Sequence, residues 1–187
     1  REELVTSLEI FVGSEQNLFE ETPLHCQQLK LSQPIITNEE LEKIRNLVSG
    51  PIKSSTLSTL FPPTAGTIED AIDRLCDAAT AAIDNGSAIL ILSDRGVDRD
   101  NAPIPSLLAT AAVHHHLIRT GLRTKVGIVV ESGEPRDVSQ MAVLIGYGAG
   151  AINPYLAFET MQDMVDRELL STTVDYKTAE KNFIKAI

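Results

Sequence analysis

Two stretches of this chain repeat one another in kind. Ile89-Leu90-Ile91-Leu92-Ser93-Asp94-Arg95-Gly96 and Gly127-Ile128-Val129-Val130-Glu131-Ser132-Gly133 each run as an apolar segment that ends in polar residues and a glycine. An apolar run such as 88–92 has no polar face to offer water, so it fits a strand covered on both sides. Helical periodicity follows each run. Strand, helix, strand in series implies parallel pairing, because the chain must cross back before the next strand can lie beside the last.

The same rhythm extends in both directions. Residues 55–61 are β-branched and apolar and stop at Pro62-Pro63, which reads as a strand. Thr67 with Asp70 resembles a capping box, and Ile68, Ala71, Ile72, Leu75, Cys76, Ala79 and Ile83 form a stripe at helical spacing that ends at Asn85-Gly86. Helices are expected at about 105–120 and 135–145, a short strand at 151–152, a helix through about 169, and a last helix from 177. The fold class is α/β, with a parallel sheet of about four β-α units; half a barrel and a Rossmann-like open sheet both fit.

Residues 1–50 are a different kind of segment. They hold four basic against nine acidic residues, which is half of the chain's net charge of −10 in about a quarter of its length. Leu4, Leu8 and Phe11 are about one helical turn apart, and Leu18, Leu24, Leu29 and Leu31 follow around Pro23. The expectation is a mainly helical acidic segment of two or three short helices. Thr37-Asn38-Glu39-Glu40 then opens an amphipathic helix with Leu41, Ile44 and Leu47 on one side, and Ser49-Gly50-Pro51 ends it. The division is 1–50 as this segment and 51–187 as the α/β domain.

Charge and composition exclude several functions. An acidic surface without a basic cluster repels phosphate backbones and anionic headgroups, so neither nucleic acid nor membrane is an expected partner. Two cysteines, Cys26 and Cys76, form neither a CxxC nor a metal-type spacing, which points to a reducing compartment. The apolar runs fall far short of the roughly 20 residues that span a bilayer. There is no Met at position 1, and the chain reads as a piece of something longer.

Ligands of parallel α/β sheets sit at the carboxyl ends of the strands. Asp94, Arg95, Glu131 and Ser132 stand at two such ends. Two carboxylates beside an arginine could do acid-base work, but the same residue types equally form an ion-pair network that locks the strand ends. His114-His115-His116 cannot converge on one metal ion, since three consecutive helical residues sweep about 200° of the surface. Gly146-x-Gly148-x-Gly150 follows a helix and precedes a strand, the reverse of a dinucleotide loop, so helix termination and close packing explain it better. Cys76 belongs to the apolar stripe, and Cys26 has no neighbour that would activate a thiolate.

Several stretches carry a family resemblance: 1–9, Asn17-Leu18-Phe19-Glu20-Glu21-Thr22, Ser58-Thr59-Leu60-Phe61, Ile91-Leu92-Ser93-Asp94-Arg95, residues 102–117 with the three histidines, and Val129-Val130-Glu131-Ser132-Gly133-Glu134 with Ile145-Gly146-Tyr147-Gly148-Ala149. In this order they resemble the central domain of the glutamate synthase large chain, of the ferredoxin- or NAD(P)H-dependent type. Ser139-Gln140 stand where family members often carry two histidines.

The resemblance implies one segment of a modular enzyme of nitrogen assimilation, in the cytoplasm or the plastid stroma. In that enzyme a glutamine amidotransferase domain releases ammonia, which passes through an internal tunnel to an FMN-binding barrel. There it is combined with 2-oxoglutarate, with electrons delivered through an iron-sulfur cluster. The central domain joins the other two, holds no cofactor or metal and no catalytic residue, and helps to wall the tunnel; Thr6 and Ser7 are the wall positions to test first. The alternative is a stand-alone α/β domain that binds a small anionic ligand at the strand ends, with Arg95 as a contact.

Overall fold

The computed structural model describes residues 7–64, 66–171 and 173–187. At its centre is a parallel sheet of four strands: β3 (Lys53–Ser58), β5 (Ser87–Ser93), β7 (Gly127–Glu131) and β8 (Ala151–Asn153), paired in that order. Before it comes an antiparallel hairpin of β1 (Ile10–Gly13) and β2 (Gln28–Leu31). A small pair, β4 (Leu60–Phe61) and β6 (Ala102–Pro103), lies beyond the strand ends.

Among the described residues six α-helices accompany the strands: α1 (Asn38–Arg45), α2 (Ile68–Asp84), α3 (Ser106–Arg119), α4 (Val138–Gly146), α5 (Tyr155–Asp166) and α6 (Tyr176–Ala186). Local chemistry sets several starts. Thr37 and Thr67 each make a capping box, with Glu40 and Asp70 respectively, and Asp137 accepts from the Gln140 backbone N–H. The cap at Asp137 explains why α4 begins later than the sequence suggests.

The sheet order follows the chain, which decides between the two expected architectures. A doubly wound sheet reverses its order to place helices on both faces, whereas this one never reverses. Its crossover helices therefore share one face. Ala71, Leu75 and Ala79 of α2, Val113 and Leu117 of α3, Met141 and Leu144 of α4 and Phe158 of α5 pack with Leu90, Leu92, Ile128, Val130 and Ile152 of the strands. The half-barrel arrangement is the one adopted.

Alternate strand residues look the other way. Ile89, Ile91, Val129 and Ala151 pack with Val12 of the hairpin, Ile36, and Leu41 and Ile44 of α1. The N-terminal segment thus covers the face that in a closed barrel would point inward.

This part corrects the sequence reading. Where two or three helices are expected before residue 37, the described residues form the hairpin and one 3₁₀ turn, Pro23–Cys26. Of the residues whose spacing suggests helices, Phe11, Leu29 and Leu31 lie in the strands, Leu24 in the 3₁₀ turn and Leu8 and Leu18 in neither, while Leu4 lies outside the described residues; Leu18 and Phe19 are exposed, so no continuous stripe needs burial. Docking decides the outcome. An added Cβ on Gly127 would stand 2.6 Å from Val12 Cγ1 and 2.7 Å from the Gly13 nitrogen, so only glycine lets β1 lie this close to β7.

Candidate functional site

The carboxyl ends of β5 and β7 bring together all four strand-end residues that the sequence singles out. Register pairs Ser93 with Glu131 and Glu131 with Asn153, so the three polar termini lie side by side. Each of these three strands ends on a polar residue that is itself buried.

Glu131 is at the centre and its side chain is 1% exposed. Arg95 Nε donates to its Oε1 and Arg45 Nη2 to its Oε2, each at 2.8 Å, and Ser93 Oγ donates to Oε2. Burial alone would raise this carboxyl, but the hydrogen bonds from Ser93, Arg45 and Arg95 outweigh it and hold the pKa below the ordinary glutamate value. Arg95 continues outward, with Nη1 2.7 Å from Glu159 and its guanidinium 4.1 Å above the Tyr155 ring. Arg45 also bonds Glu42 and the Thr56 hydroxyl.

Asp94, on the residue after β5, has a different environment. Its carboxylate accepts from Ser132 Oγ and from the Gly133 N–H, the latter at 3.1 Å. Burial raises its pKa and these neutral donors only partly offset that. Glu134 turns away and accepts from the Ser106 backbone N–H at 2.9 Å and from the Ser106 hydroxyl, anchoring the start of α3. Asn153 Nδ2 reaches Ile36 O and Asn38 Oδ1, which ties β8 to the segment before α1.

The carboxylates and hydroxyls of the cluster satisfy one another, while the buried Asn153 Oδ1 beside them has no hydrogen-bond partner among the described residues. Every carboxylate oxygen of Asp94 and Glu131 accepts from a protein donor, and two arginines close the cluster. A general base needs a free lone pair aimed at a substrate proton, and a nucleophile needs a base beside it. The Ser132 hydroxyl donates to Asp94, and the histidines of α3 bond elsewhere: His114 Nδ1 accepts from Arg123 Nε at 2.9 Å, and His116 Nε2 lies 2.8 Å from Thr80 Oγ1. His115 is exposed. The chemistry the geometry supports is a lock across strand ends.

Among the described residues, neither the glycine run nor the two cysteines are arranged as a phosphate loop or a thiolate cluster. Gly148 has φ +108°, and a Cβ there would stand 2.2 Å from His114 Nδ1; the glycine run is thus filled by a side chain rather than open to a phosphate. The two cysteines are too few for a four-thiolate cluster, and one is buried in α2 while the other is exposed in the 3₁₀ turn. Among the described residues no three of His, Cys, Asp and Glu converge on a metal position, and no helix is long and apolar enough to cross a membrane. Ser7 is exposed, and its Oγ accepts from the Glu9 N–H at 3.0 Å; Thr6 lies outside the described residues.

Four participants escape the sequence reading: Arg45, Ser93 as an acceptor-directed donor, Tyr155 and Glu159. Tyr155 and Glu159 are four apart at the start of a helix that follows a strand end, a spacing that was available as a signal. Arg45 gave none, because nothing in sequence says that α1 crosses the tips of β5 and β7.

Comparison with known proteins bears on what such a lock is part of. The family model described as the glutamate synthase central domain matches residues 1–187. The large chain of an NADPH glutamate synthase from Bacillus subtilis is 41% identical over all of this chain, which spans 12% of that protein. A chloroplastic ferredoxin-dependent glutamate synthase from Oryza sativa subsp. japonica is 40% identical, again over all of this chain and 12% of the relative. An NADH glutamate synthase from Schizosaccharomyces pombe is 36% identical over all of this chain and 9% of its own length. This chain, about an eighth the length of the first of these relatives, belongs to the glutamate synthase central domain family.

Proposed function

We propose that this chain is the non-catalytic connecting domain of a glutamate synthase large chain, holding a glutamine amidotransferase domain and an FMN-binding domain in fixed relation. The parent enzyme makes glutamate from glutamine and 2-oxoglutarate in the cytoplasm or plastid stroma, with FMN and an iron-sulfur cluster on its other domains. One observation carries the reading: at the strand ends, where an α/β domain of this kind would keep its active site, the carboxylates of Glu131 and Asp94 are already taken up by hydrogen bonds from Arg45, Arg95 and Ser132. What remains for such a domain is rigidity and shape.

The network suits that role because it joins every layer. Arg45 belongs to the N-terminal cover, Glu131 to the sheet and Glu159 to α5, so one chain of ion pairs fixes three elements that different partner domains would contact. Thr6 and Ser7 are assigned to the wall of an ammonia tunnel, which needs hydroxyl or carbonyl groups at the junction with the preceding domain. In the complete enzyme, Ser7→Phe is expected to raise glutamine consumed per glutamate formed; an unchanged ratio removes Ser7 from the wall.

The anion-binding alternative loses support, since Arg95 gives Nε to Glu131 and Nη1 to Glu159. Two assays test the connecting role. The 187-residue chain is expected to hydrolyse no glutamine and show no flavin absorbance, and millimolar phosphate or 2-oxo acids are expected to leave its melting temperature unchanged. Glutamine hydrolysis at an enzymatic rate would overturn the proposal.

A further inference from the structure

The two edges of the central sheet are finished differently. Beyond β8 the chain covers its own edge: Ile152 N donates to Pro34 O at 2.7 Å, Ile36 N donates to Ile152 O at 2.9 Å, and Ile35 bridges Ile152 in parallel. At β3 the cover stops after one bond, from Ser54 N to Leu47 O at 2.7 Å.

Parity identifies what is left over. In a parallel strand, alternate residues point both backbone groups to the same side. Ser54 bonds away from β5, while Thr59 N donates to Ser93 O on β5, so Ser54, Thr56 and Ser58 face outward and Ser55, Leu57 and Thr59 face the sheet. Among the described residues, the N–H groups of Thr56 and Ser58 and the carbonyl of Thr56 have no backbone partner outside the sheet.

Clefts flank this edge on both faces. One of about 260 Å³ lies between β3 and α2, lined by Leu57, Ala71, Arg74, Leu75 and Ala78. The other, about 390 Å³, lies on the α1 side between Thr56, Ser58 and Arg45 and extends over Ser93, Arg95 and Glu131 of the strand-end cluster. A strand laid beside β3 would put successive side chains alternately into these two spaces, which is how strand addition combines main-chain bonds with side-chain pockets. Arg74 is exposed and has no ion-pair partner among the described residues, so the α2-side cleft favours an acidic side chain.

We propose that the outer edge of β3 at residues 56–58 is a docking edge that takes an extended segment from elsewhere in the same synthase large chain as a further strand. The family relatives are about eight to eleven times the length of this chain, so segments of the same large chain would be at far higher effective concentration than any separate partner. An open edge left bare would also pair with other molecules, a hazard that the residues at 34–36 remove on the opposite side. The inference rests on the connecting-domain reading, yet it is read out by amide exchange rather than by activity, so either can fail alone.

Residue-resolved hydrogen exchange on the complete large chain, and separately on the 187-residue chain, tests it. In the 187-residue chain, protection along 55–58 should alternate, with Ser55 and Leu57 slow and Thr56 and Ser58 fast. In the complete chain all four should be slow. Fast exchange at Thr56 and Ser58 in the complete chain overturns the proposal. Protection that appears in the 187-residue chain as its concentration rises overturns the intrachain assignment and gives the edge to a second copy.

Discussion

The two faces of the four-stranded sheet are covered in different ways. On one face the crossover helices supply a continuous apolar layer, in which Phe158 is fully buried and meets Phe183 edge to face with ring centres 5.8 Å apart. On the other, a short hairpin and one eight-residue helix suffice, held by a few large side chains and by glycines that permit close approach. The first cover is built by burial of area, the second by fit. Losing a side chain should therefore dominate on the helical face, and gaining one should dominate on the N-terminal face.

The largest expected effect is on the helical face. Phe158→Ala should lower unfolding free energy by about 3–5 kcal/mol, the usual cost of emptying a fully buried aromatic site. Chemical denaturation would measure it, and a loss under about 1 kcal/mol would mean that the layer is not close-packed there.

Glu131→Gln comes next, because it acts on both faces at once. The change leaves Arg45 and Arg95 opposite a neutral amide; breaking a buried pair costs about 3–5 kcal/mol, discounted here to about 2–3 because both arginines are partly exposed. Proteolysis sites should open in residues 7–50 before the rest of the chain. Uniform loss of stability with no earlier cleavage would show that Arg45 does not tie the segment down.

Gly127→Ala is the gain-of-atom counterpart, with an expected cost of about 1–3 kcal/mol from overpacking against Val12 and the Gly13 backbone. The hairpin amides should lose exchange protection while those of α2 and α3 keep theirs. Equal loss in both would erase the distinction between the faces.

The smallest effects are on pH dependence, and they separate two sites by sign and window. Burial, with Arg123 and His115 adding to it, holds the His114 pKa below the ordinary 6.5. Its unfolded form takes up a proton first, so this contribution is whole above about pH 6.5 and declines as pH falls through that value. Glu131 is likewise depressed, and its contribution is whole above about pH 4.5 and is lost as pH falls below it. Asp94, raised by burial, runs the other way: it favours the fold below the ordinary value of 3.8 and loses that advantage as pH rises through its own pKa. Stability measured from pH 8 down to about 2 should fall in two steps, one beginning near pH 6.5 and one below about 4.5, and His114→Gln should remove the upper one. A single step near pH 4 in both proteins would contradict the His114 assignment.

The four β-α units are legible in the sequence because each boundary is encoded locally. Thr67 with Asp70 opens α2, Asn85-Gly86 closes it, and a wholly apolar run marks the doubly covered β5. Asp94, Arg95, Glu131 and Ser132 could be named as neighbours from their place at strand ends alone. The hairpin could not be read, since Val12 is seated by its close approach to Gly127 and Gly150, more than 100 positions away, and Ile10, Leu29 and Leu31 follow from the pairing around it. Arg45 was hidden for the same reason. Half-barrel winding was also out of reach locally, as strand order is a property of the assembled sheet.

The central claim of the proposed function is that the mutually bonded cluster at the strand ends holds the domain together and performs no chemistry. Asp94→Asn in the complete large chain tests it most directly, with glutamate formation measured per folded molecule beside the melting temperature. The account predicts a lowered melting temperature and turnover changed by no more than about two-fold, far below the roughly 10² to 10⁴ that loss of a general acid or base costs. A hundredfold drop in turnover with an unchanged melting temperature would contradict it.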